Sequence, residues 1–334
     1  MKRITMLGAG SWASAVANTI AAEAKVTMYA RRQDQADEIN NKHTNSRYLG
    51  QESLHPSIRA TNDLEEALEA ADLVINGVPT QASRSVFLEA KAFIPKDVPL
   101  VNLSKGIEQR TGLRLSQVAQ EILPDHPYAV LSGPSHAEEV IIGQPTTVVV
   151  AAEDQRLADR LQLLFMKPNF RVYTGADVVG VELGGAVKNI LAICIGIADG
   201  IGLGDNPKAA IITRGVHEMV RFGMSEGGQR QTLYGLAGIG DLIVTATSRH
   251  SRNRMAGELL GRGYSIDRVR SEVGQIVEGI TTCSAVYQLA KDQEISMPIT
   301  EALYGILFEE KNIADALNML MLRDRKQEFE DDPE

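Results

Sequence analysis

Residues 4–29, ITMLGAGSWASAVANTIAAEAKVTMY, decide the fold of this chain of 334 residues. A short apolar run, Ile4–Leu7, leads into a glycine turn, and a second apolar run follows at Val26–Tyr29. Between them, the alanine-rich stretch Ser14–Ala24 favours a helix. Short apolar runs bounded by turn residues predict buried strands, so the segment is predicted to form a strand–helix–strand unit.

The turn in this unit has the pattern G-x-G-x-x-A, in which Gly8, Gly10 and Ala13 occupy the defining positions. Gly8 allows the tight turn, Gly10 lets the backbone approach a pyrophosphate, and Ala13 is small enough for the helix to pack on the strand. The helix N-terminus then offers free N–H groups to the phosphates. The alternative is an ordinary glycine-rich turn, but the position between a strand and a helix favours a dinucleotide site.

The end of the second strand bears on which dinucleotide binds. An NAD site usually has an acidic residue about 20 residues after the glycines, to bind the ribose hydroxyls. Here Arg31 and Arg32 occupy that point, and the next acidic residue is Asp34. Because two arginines suit a 2′-phosphate, NADP is favoured over NAD as the cofactor. The alternative is an arginine that merely covers the adenine ring or faces solvent.

Strand and helix patterns alternate over the first half of the chain. Strand candidates lie at Ile4–Leu7, Val26–Tyr29, Ile58–Ala60, Leu73–Asn76, Leu100–Leu103, Ala129–Leu131, Thr147–Val150 and Arg171–Tyr173. Helical patterns follow many of them, at Asp63–Ala70, Ser83–Phe93, Arg114–Ile122 and Gln155–Phe165. We therefore predict an α/β fold with a Rossmann-type, doubly wound, mainly parallel sheet over residues 1–177. Strand signals almost vanish afterwards, which predicts an all-helical second domain over residues 178–334.

Composition narrows the class of function. A net charge of −9 argues against a nucleic-acid-binding surface, although it leaves room for an anionic substrate. Cys194 and Cys283 are far apart and have no ligand spacing, so they are predicted to be small buried residues in a reducing compartment, with no metal site. The chain has no signal-peptide pattern, and its longest apolar run, 189–198, is about half of a membrane span. We expect a cytoplasmic protein without a membrane span.

Three loops follow predicted strands, where open α/β sheets bind their ligands. Residues 77–80 and 102–106 are two of these loops, and the second carries Lys105. Gly133 and Ser135 lie in the third, just before a helix that starts near Ala137. Each loop taken alone is equally compatible with a solvated lysine or a simple helix start, but together they favour a binding site.

Lys188 lies inside VELGGAVKNILAICIGIA (181–198), a helical stretch that is otherwise almost wholly apolar. Burial disfavours the ammonium form, so its pKa should fall towards a range useful for proton transfer near neutral pH. The alternative is a lysine at the rim of a buried helix, with its stem on apolar surface and its head in water. Asn189 follows it directly and is a candidate to order the lysine or hold a substrate.

Downstream of Lys188, a glycine-rich run, GLAGIG (235–240), is predicted to be flexible and leads to Asp241, which we expect to pair with that lysine. Thr245 is a second candidate to order the lysine or hold the substrate. The run SRHSRNR (248–254) then concentrates arginines and small polar residues, and the planar arginine fork suits phosphate. An exposed basic loop is the alternative there. Glu278 begins another helix and is a candidate to reach the cofactor or only to solvate that helix.

These motifs together resemble the NAD(P)-dependent glycerol-3-phosphate dehydrogenases of bacteria. The resemblance is carried by GAGSWA, NLSKGIE, LSGPSHAEEV, VKNILAICIGIADGIGLGDN, GLAGIGDLIVT, SRNR and VEG, in this order. It runs from Gly8 to about Pro298, nearly the whole chain. One departure is Ala13, where many members of the family have glycine.

The resemblance implies interconversion of dihydroxyacetone phosphate and sn-glycerol 3-phosphate for phospholipid synthesis, with Lys188 as the catalytic proton acceptor or donor. The substrate positions that it implies are Lys105, Gly133, Ser135, Lys188, Asp241, Ser251, Arg252 and Asn253. The implied positions for the cofactor, NADP or NAD, are Ser11, Trp12, Arg31, Arg32, Lys105, Ala137, Arg252, Ile276 and Glu278, beside Gly8 and Gly10 of the turn. The family is commonly dimeric, so a homodimer is expected.

Two other functions fit parts of the same pattern. A related dehydrogenase could act on a β-hydroxy acid, with a carboxylate in place of the phosphate, but three arginines around Ser251 favour a dianion. A non-catalytic NADPH sensor would bind the cofactor and turn over no ketone, which leaves Lys188 unexplained. His136 is a competing general base, since histidine titrates near neutral pH. It precedes a helix N-terminus that disfavours its protonated form, so we predict a structural role.

Overall fold

The structure, a computed structural model, describes residues 2–325, 327 and 328. It divides into two compact units. Unit 1 consists of Met1–Ser104 and Leu115–Val178, and unit 2 consists of Lys105–Arg114 and Val179–Glu334.

Unit 1 is built on a sheet of eight strands. They are β1 (Arg3–Leu7), β2 (Lys25–Tyr29), β3 (Arg59–Thr61), β4 (Leu73–Asn76), β5 (Leu100–Asn102), β6 (Tyr128–Ser132), β7 (Thr146–Ala152) and β8 (Phe170–Gly175). The spatial order is β3-β2-β1-β4-β5-β6-β7-β8. Neighbouring strands are parallel except for β6 and β7, which are antiparallel. The predicted Rossmann-type, mainly parallel sheet is therefore confirmed.

Helices alternate with these strands in unit 1 and form almost all of unit 2. The first eight helices are α1 (Ser11–Ile20), α2 (Gln33–Lys42), α3 (Ser46–Leu49), α4 (Leu64–Leu68), α5 (Thr80–Ala90), α6 (Leu115–Ile122), α7 (Ala137–Ile141) and α8 (Gln155–Phe165). The others are α9 (Val178–Gly200), α10 (Asp205–Ser225), α11 (Arg230–Leu233), α12 (Asp241–Thr247), α13 (Arg252–Gly261), α14 (Ile266–Val273), α15 (Glu278–Asp292), α16 (Pro298–Phe308) and α17 (Ile313–Met321). The prediction that the second domain is helical is thus confirmed.

The opening strand–helix–strand unit forms as the sequence predicts. β1 and β2 are parallel neighbours with Leu7 opposite Tyr29, so the turn after β1 and the chain after β2 leave the sheet at the same edge. The alanine-rich face of α1 is buried. Ala13 lies against Gly77, where an added Cβ would be 2.7 Å from the Ala13 Cβ. This contact is the physical reason for a small residue at the third position of the motif.

Helix α9 forms the centre of unit 2. Its 23 residues and apolar composition are sufficient to cross a membrane, and it is longer than the apolar run seen in the sequence. However, 89% of its most apolar window is buried inside the protein, as in the core helix of a globular domain. Its apolar side chains therefore form the core on which the other helices of unit 2 pack.

Helices α9 and α13 approach each other closely through glycines. A Cβ added at Gly196 would lie 2.1 Å from the carbonyl oxygen of Arg254, and one added at Gly257 would lie 2.1 Å from the carbonyl oxygen of Ile193. Larger residues there would force the helices apart. The glycines therefore set the position of α13, and of its N-terminus, relative to the helix that carries Lys188.

The segment Lys105–Arg114 belongs to unit 2, although it follows a strand of unit 1 and we predicted it within the first domain. Its side chains account for this difference. Ile107 is buried in the apolar core of unit 2, and the Lys105 and Arg114 side chains form ion pairs with acids of the helical unit. These three interactions join the segment to unit 2, although the chain before and after it belongs to unit 1.

Candidate active site

Lys188 is buried in unit 2, with 6% of its surface exposed. Its Nζ atom lies 3.0 Å from Oδ1 of Asp241 and 2.7 Å from Oγ1 of Thr245. The alternative of a rim lysine with its head in water is therefore wrong. The amine is held at a fixed point in a largely apolar surrounding by one carboxylate and one hydroxyl.

The surroundings of Lys188 tune its proton affinity. Burial lowers the pKa of the lysine to about 8, the nearby Asp241 carboxylate opposes this fall, and the charges of Lys105 and Arg252 add to it. A group with this pKa exchanges protons readily near neutral pH. Lys188 can therefore act both as an acid and as a base.

Asp241 is the first residue of α12, and both of its oxygens bind lysines. Burial raises its pKa, but the positive charges of Lys105 and Lys188 outweigh burial and lower the pKa overall. The carboxylate thus remains ionised between two ammonium groups. Because the trio carries one net positive charge, it favours an anionic ligand.

The glycine-rich run before Asp241 is a π-helical turn, Leu236–Gly240, rather than a flexible loop. It packs tightly: a Cβ added at Gly238 would lie 1.8 Å from the carbonyl oxygen of Leu233, and one at Gly184 of α9 would lie 2.9 Å from that of Ala237. The small residues let this turn rest directly on α9. This contact places Asp241 next to Lys188. Turns of π-helix are frequent at functional sites.

Lys105 contacts the same carboxylate from the Lys105–Arg114 segment, with 2.6 Å between its Nζ and Oδ2 of Asp241. Its carbonyl oxygen accepts a hydrogen bond of 3.1 Å from Nδ2 of Asn189. Asn189 in turn accepts, at Oδ1, a hydrogen bond of 2.8 Å from Asn253. Asn253 also accepts the N–H of Gly279 at 2.9 Å. These amides link Lys188's own helix to the start of α13 and to α15.

The N-terminus of α13 has the features of an anion site. Ser251 caps the helix, and its hydroxyl accepts the N–H of Arg254 at 3.2 Å. The N–H groups of Arg252 and Asn253, in the first turn, have no acceptor within the helix by geometry, and the helix dipole favours negative charge there. The Arg252 side chain is exposed and donates a hydrogen bond of 3.1 Å to Gln275. Arginine and helix end together suit a phosphate.

Two predicted cofactor positions of unit 2 follow Gln275. Ile276 is 51% exposed, and Glu278 is the first residue of α15. The bond between Arg252 and Gln275 brings the segment that contains these residues to the start of α13. Gln275 itself was not predicted, because an isolated glutamine in a loop has no sequence pattern that marks it.

The glycine turn of unit 1 fits the pyrophosphate of a dinucleotide. Gly8 has φ +100°, a conformation that favours glycine, and a Cβ there would lie 2.8 Å from Cγ1 of Val78. Gly10 precedes α1 and opens to free space, and the first turn of the helix, residues 11–14, has neutral side chains. Among the described residues, Trp12 has a buried indole Nε1 without a hydrogen-bond acceptor. The cradle and this spare donor are compatible with the cofactor.

Other predicted positions of unit 1 lie at the same edge of its sheet. Arg31, which is exposed, and Arg32 follow β2, where Nε of Arg32 lies 3.6 Å from Oδ1 of Asp34. Ser11 donates a hydrogen bond of 3.1 Å to the carbonyl oxygen of Tyr48. Thus the acid that follows the arginines forms an ion pair with one of them.

The loop after β6 contains the remaining predicted positions. Gly133 has φ +141°, and the Ser135 hydroxyl donates to its carbonyl oxygen at 2.9 Å. His136 precedes α7, whose first residue, Ala137, is buried, and α7 packs against α1. The loop therefore leads into a helix that packs on α1, the helix that follows the glycine turn.

Comparison with known proteins places this chain. A family model described as the N-terminus of NAD-dependent glycerol-3-phosphate dehydrogenase matches residues 3–158, and one described as the C-terminus matches residues 177–318. The chain belongs to the NAD-dependent glycerol-3-phosphate dehydrogenase family. The predicted resemblance is thereby confirmed, and the cofactor of the family, NAD or NADP, matches the cradle of unit 1.

Members of this dehydrogenase family cover the chain from end to end. Glycerol-3-phosphate dehydrogenase [NAD(P)+] of Bacillus pumilus is 51% identical over 99% of this chain and 97% of its own length, and that of Bacillus subtilis is 48% identical with the same coverage. The crystal structure of glycerol-3-phosphate dehydrogenase from Coxiella burnetii has a TM-score of 0.93 and 37% identity, covering 96% of this chain and 99% of that one. Sequence and fold thus agree on the glycerol-3-phosphate dehydrogenase family.

Both cysteines are free thiols, and the Sγ of the buried Cys283 donates to the carbonyl oxygen of Thr300 at 3.7 Å. Burial raises the pKa of both thiols, Cys194 and Cys283, well above the ordinary range. A thiol that stays protonated is a poor nucleophile and metal ligand. In the described part of the chain, no group of three or more His, Cys, Asp and Glu side chains is placed to hold a metal ion.

Proposed function

We propose that this chain interconverts dihydroxyacetone phosphate and sn-glycerol 3-phosphate with NAD(P), using Lys188 as the proton donor and acceptor. The observation that carries the proposal is the trio of buried Lys188 and Asp241 with half-buried Lys105, in a member of this dehydrogenase family. We further propose that the reduction supplies glycerol phosphate for phospholipid synthesis.

The chemistry needs a proton at the substrate oxygen. The nicotinamide cofactor, when bound, supplies the hydride to the ketone carbon. As the carbonyl oxygen becomes an alcohol, the Lys188 ammonium group donates a proton to it, and in the reverse direction the neutral amine accepts that proton. Proton transfer of this kind typically contributes about 10²–10⁴-fold to the rate. Asp241 and Thr245 hold the amine in one place throughout.

The phosphate of the substrate supplies the binding energy. The charge of Arg252 and the N–H groups at the start of α13 suit a dianion better than a carboxylate. Binding a group remote from the reacting carbon positions the ketone for reaction. The link from Asn189 to Asn253 then fixes the distance between amine and phosphate site. We also propose Gly133, Ser135 and Ser251 as substrate-binding residues.

In unit 1 the cofactor would be held by the glycine turn and by the arginines after β2. We propose Gly8, Gly10, Ser11, Trp12, Arg31, Arg32 and Ala137 for this role. Lys105, Arg252, Ile276 and Glu278 of unit 2 are proposed as further cofactor contacts. The two arginines favour NADPH over NADH, because they suit a 2′-phosphate.

The deciding experiment replaces Lys188 by alanine. We expect Lys188→Ala to lose nearly all turnover of dihydroxyacetone phosphate while NADPH still binds, as measured by fluorescence titration. His136→Ala is the matched variant for the competing base and should retain activity. An active Lys188→Ala enzyme together with a silent His136→Ala enzyme would contradict the proposal.

Substrate choice separates this proposal from the two other functions. Initial rates of NADPH oxidation should be high with dihydroxyacetone phosphate and low with β-keto acids, the oxidised partners of β-hydroxy acids. The opposite preference would favour the hydroxy-acid dehydrogenase. Cofactor binding without turnover of any ketone would favour a sensor.

We also propose a homodimer and a cytoplasmic location. Exposed apolar side chains on the last helices of unit 2, among them Phe308, Met319 and Met321, support self-association. The free thiols are compatible with a reducing compartment. Sedimentation equilibrium and cell fractionation test these two statements; a monomer at micromolar concentration would refute the first.

A further inference from the structure

The segment Lys105–Arg114 forms a hairpin on the helical unit, and we name it the 105–114 hairpin. Ile107 and Arg114 pair across it as an antiparallel bridge, and the N–H of Glu108 donates to the carbonyl oxygen of Leu113 at 2.9 Å. Lys105, which contacts Asp241, begins the hairpin, and Arg114 ends it. Because the two strands are paired, the position of Lys105 depends on how Arg114 is held.

The second strand of the hairpin is attached to α9 by a buried ion pair. Nη1 of Arg114 lies 3.1 Å from Oε2 of Glu182, and the side chains are 13% and 4% exposed. Glu182 precedes Lys188 by six residues, about 9 Å along the helix axis. The first strand is attached to the same helix through the hydrogen bond from Asn189 to the Lys105 carbonyl oxygen.

A buried ion pair adds little net stability to the attachment of a hairpin. Desolvation of two charges offsets most of their attraction, and an apolar pair of similar volume often gives equal or greater stability. An ion pair, however, imposes a direction and a distance that apolar packing does not. Its presence at the end of a hairpin that carries a charged site residue points to a geometric role.

We infer that Arg114 and Glu182 are positioning residues: their ion pair fixes the 105–114 hairpin on α9 so that Lys105 stays on Asp241. The inference rests on the proposed role of Lys188 as proton donor. Neither Arg114 nor Glu182 contacts Lys188 or Asp241 in the described hydrogen bonds, so they act through Lys105.

The pH profile shows whether Lys105 is in place. Three charged groups bear on Lys188: Asp241 from α12, Lys105 from the hairpin and Arg252 from α13. Lys105 lowers the pKa of Lys188 by its own charge and also shares the Asp241 carboxylate. If Lys105 moves away, its repulsion of Lys188 is lost and the Asp241 carboxylate interacts with Lys188 alone. Both changes raise the pKa of Lys188, so it keeps its proton to higher pH.

The test uses the full-length enzyme and the variants Arg114→Leu, Glu182→Leu and the double variant. The double variant removes both charges of the pair together, so neither is left buried opposite a leucine, and its Tm is measured beside that of the parent. We expect the high-pH limb of ketone reduction to move up by about one pH unit. We expect KM for dihydroxyacetone phosphate to rise about tenfold, since Lys105 is a proposed substrate contact.

Two further variants serve as controls, one that keeps the charge of Arg114 and one that breaks an ion pair far from the hairpin in sequence. Arg114→Lys keeps the charge and should restore most of the parent profile; it also tests the inference if the leucine variants do not fold. Arg84→Leu breaks an ion pair of 2.8 Å with Glu121 in unit 1 and should leave KM and the pH profile unchanged.

Two outcomes would overturn the inference. One is a double variant of parental stability that keeps the parental pH profile and KM, because the ion pair would then be structural only. The other is an Arg114→Lys enzyme as impaired as Arg114→Leu. Lys188→Ala, measured in parallel, separates the two proposals, because its activity would refute the proposed function whatever Arg114 does.

Discussion

The Nζ atom of Lys188 and Oδ1 of Asp241 lie 3.0 Å apart inside the helical unit, and the other carboxylate oxygen binds Lys105. One buried acid therefore serves two buried or half-buried amines. A single carboxylate between two cations leaves a net positive charge in a place of low polarity, where charge acts strongly. A phosphorylated ketone and a developing alkoxide are both stabilised by such a charge.

The first prediction concerns pH. Because the pKa of Lys188 is lowered to about 8, its ammonium form is lost as pH rises through that value. Ketone reduction, which needs the ammonium group, should fall by about tenfold per pH unit above this point, and alcohol oxidation, which needs the amine, should rise and then level off. Initial rates in both directions at saturating cofactor measure this. A limb near the ordinary lysine value would contradict the burial argument.

The second prediction tests the partner of the lysine. Asp241→Asn removes the charge that opposes the fall in the Lys188 pKa, so the high-pH limb of reduction should move down by about one unit or more. Thr245→Val removes an uncharged contact to the same amine and should lower kcat with a smaller shift of the limb. Equal shifts in the two variants would show that charge is not the cause.

The sequence predicted the fold because the short apolar runs and the glycine turn indicated the same strand and helix order. Eight short apolar runs became eight strands, and the glycine turn lay between the first strand and helix as expected. Helix α2, Gln33–Lys42, had no predicted counterpart because it is almost wholly polar and buries only Gln35, Ala36 and Ile39. A helix with so narrow an apolar face leaves little periodic pattern to detect.

The site was predictable to the extent that its residues carry unusual chemistry. A lysine in an apolar helix stands out, as does an acid after a glycine run, and the structure places Lys188 and Asp241 in contact. Arg114 and Glu182 are ordinary charged residues far apart in sequence, and only packing reveals that they meet. The π-helical form of 236–240 was also hidden, because glycine runs more often indicate flexible loops.

The third prediction concerns the phosphate. Arg252→Ala should raise KM for dihydroxyacetone phosphate by about 10- to 100-fold, the usual value of a charge-assisted hydrogen bond, with a smaller change in kcat. The comparison substrate is dihydroxyacetone, which lacks the phosphate, so KM should differ far less between parent and variant than it does for dihydroxyacetone phosphate. Arg262→Ala, which removes an exposed arginine from the other end of the same helix, is the control. An unchanged KM would remove Arg252 from the phosphate site.

The fourth prediction concerns cofactor choice. Arg32→Ala should raise KM for NADPH by about tenfold and change KM for NADH little, because only NADPH carries the 2′-phosphate. Arg156→Ala removes an exposed arginine from α8 of the same unit and should affect neither. Equal effects on both cofactors would mean that Arg32 covers the adenine ring or only balances Asp34.

The fifth prediction concerns Glu218, a buried acid of α10 that has no role in the proposed chemistry. Its carboxylate accepts the N–H of Ile299 at 2.6 Å and the N–H of Thr300 at 3.2 Å, at the start of α16. Burial nonetheless dominates and raises its pKa from 4.5 to about 7. The folded state thus binds a proton more tightly than the unfolded state does, and this contribution is complete below the unfolded pKa.

The stability from Glu218 should therefore be lost as pH rises from about 4.5 through about 7, by up to about 3 kcal/mol. Glu218→Gln cannot ionise, so the difference in Tm between parent and variant should change by several degrees across this range. Calorimetry in a series of buffers measures it, with kcat near neutral pH as a check that the site is intact. Parallel Tm curves for the two proteins would show that Glu218 ionises alike in the folded and unfolded chain, and hence that the N–H groups of α16 offset its burial in full.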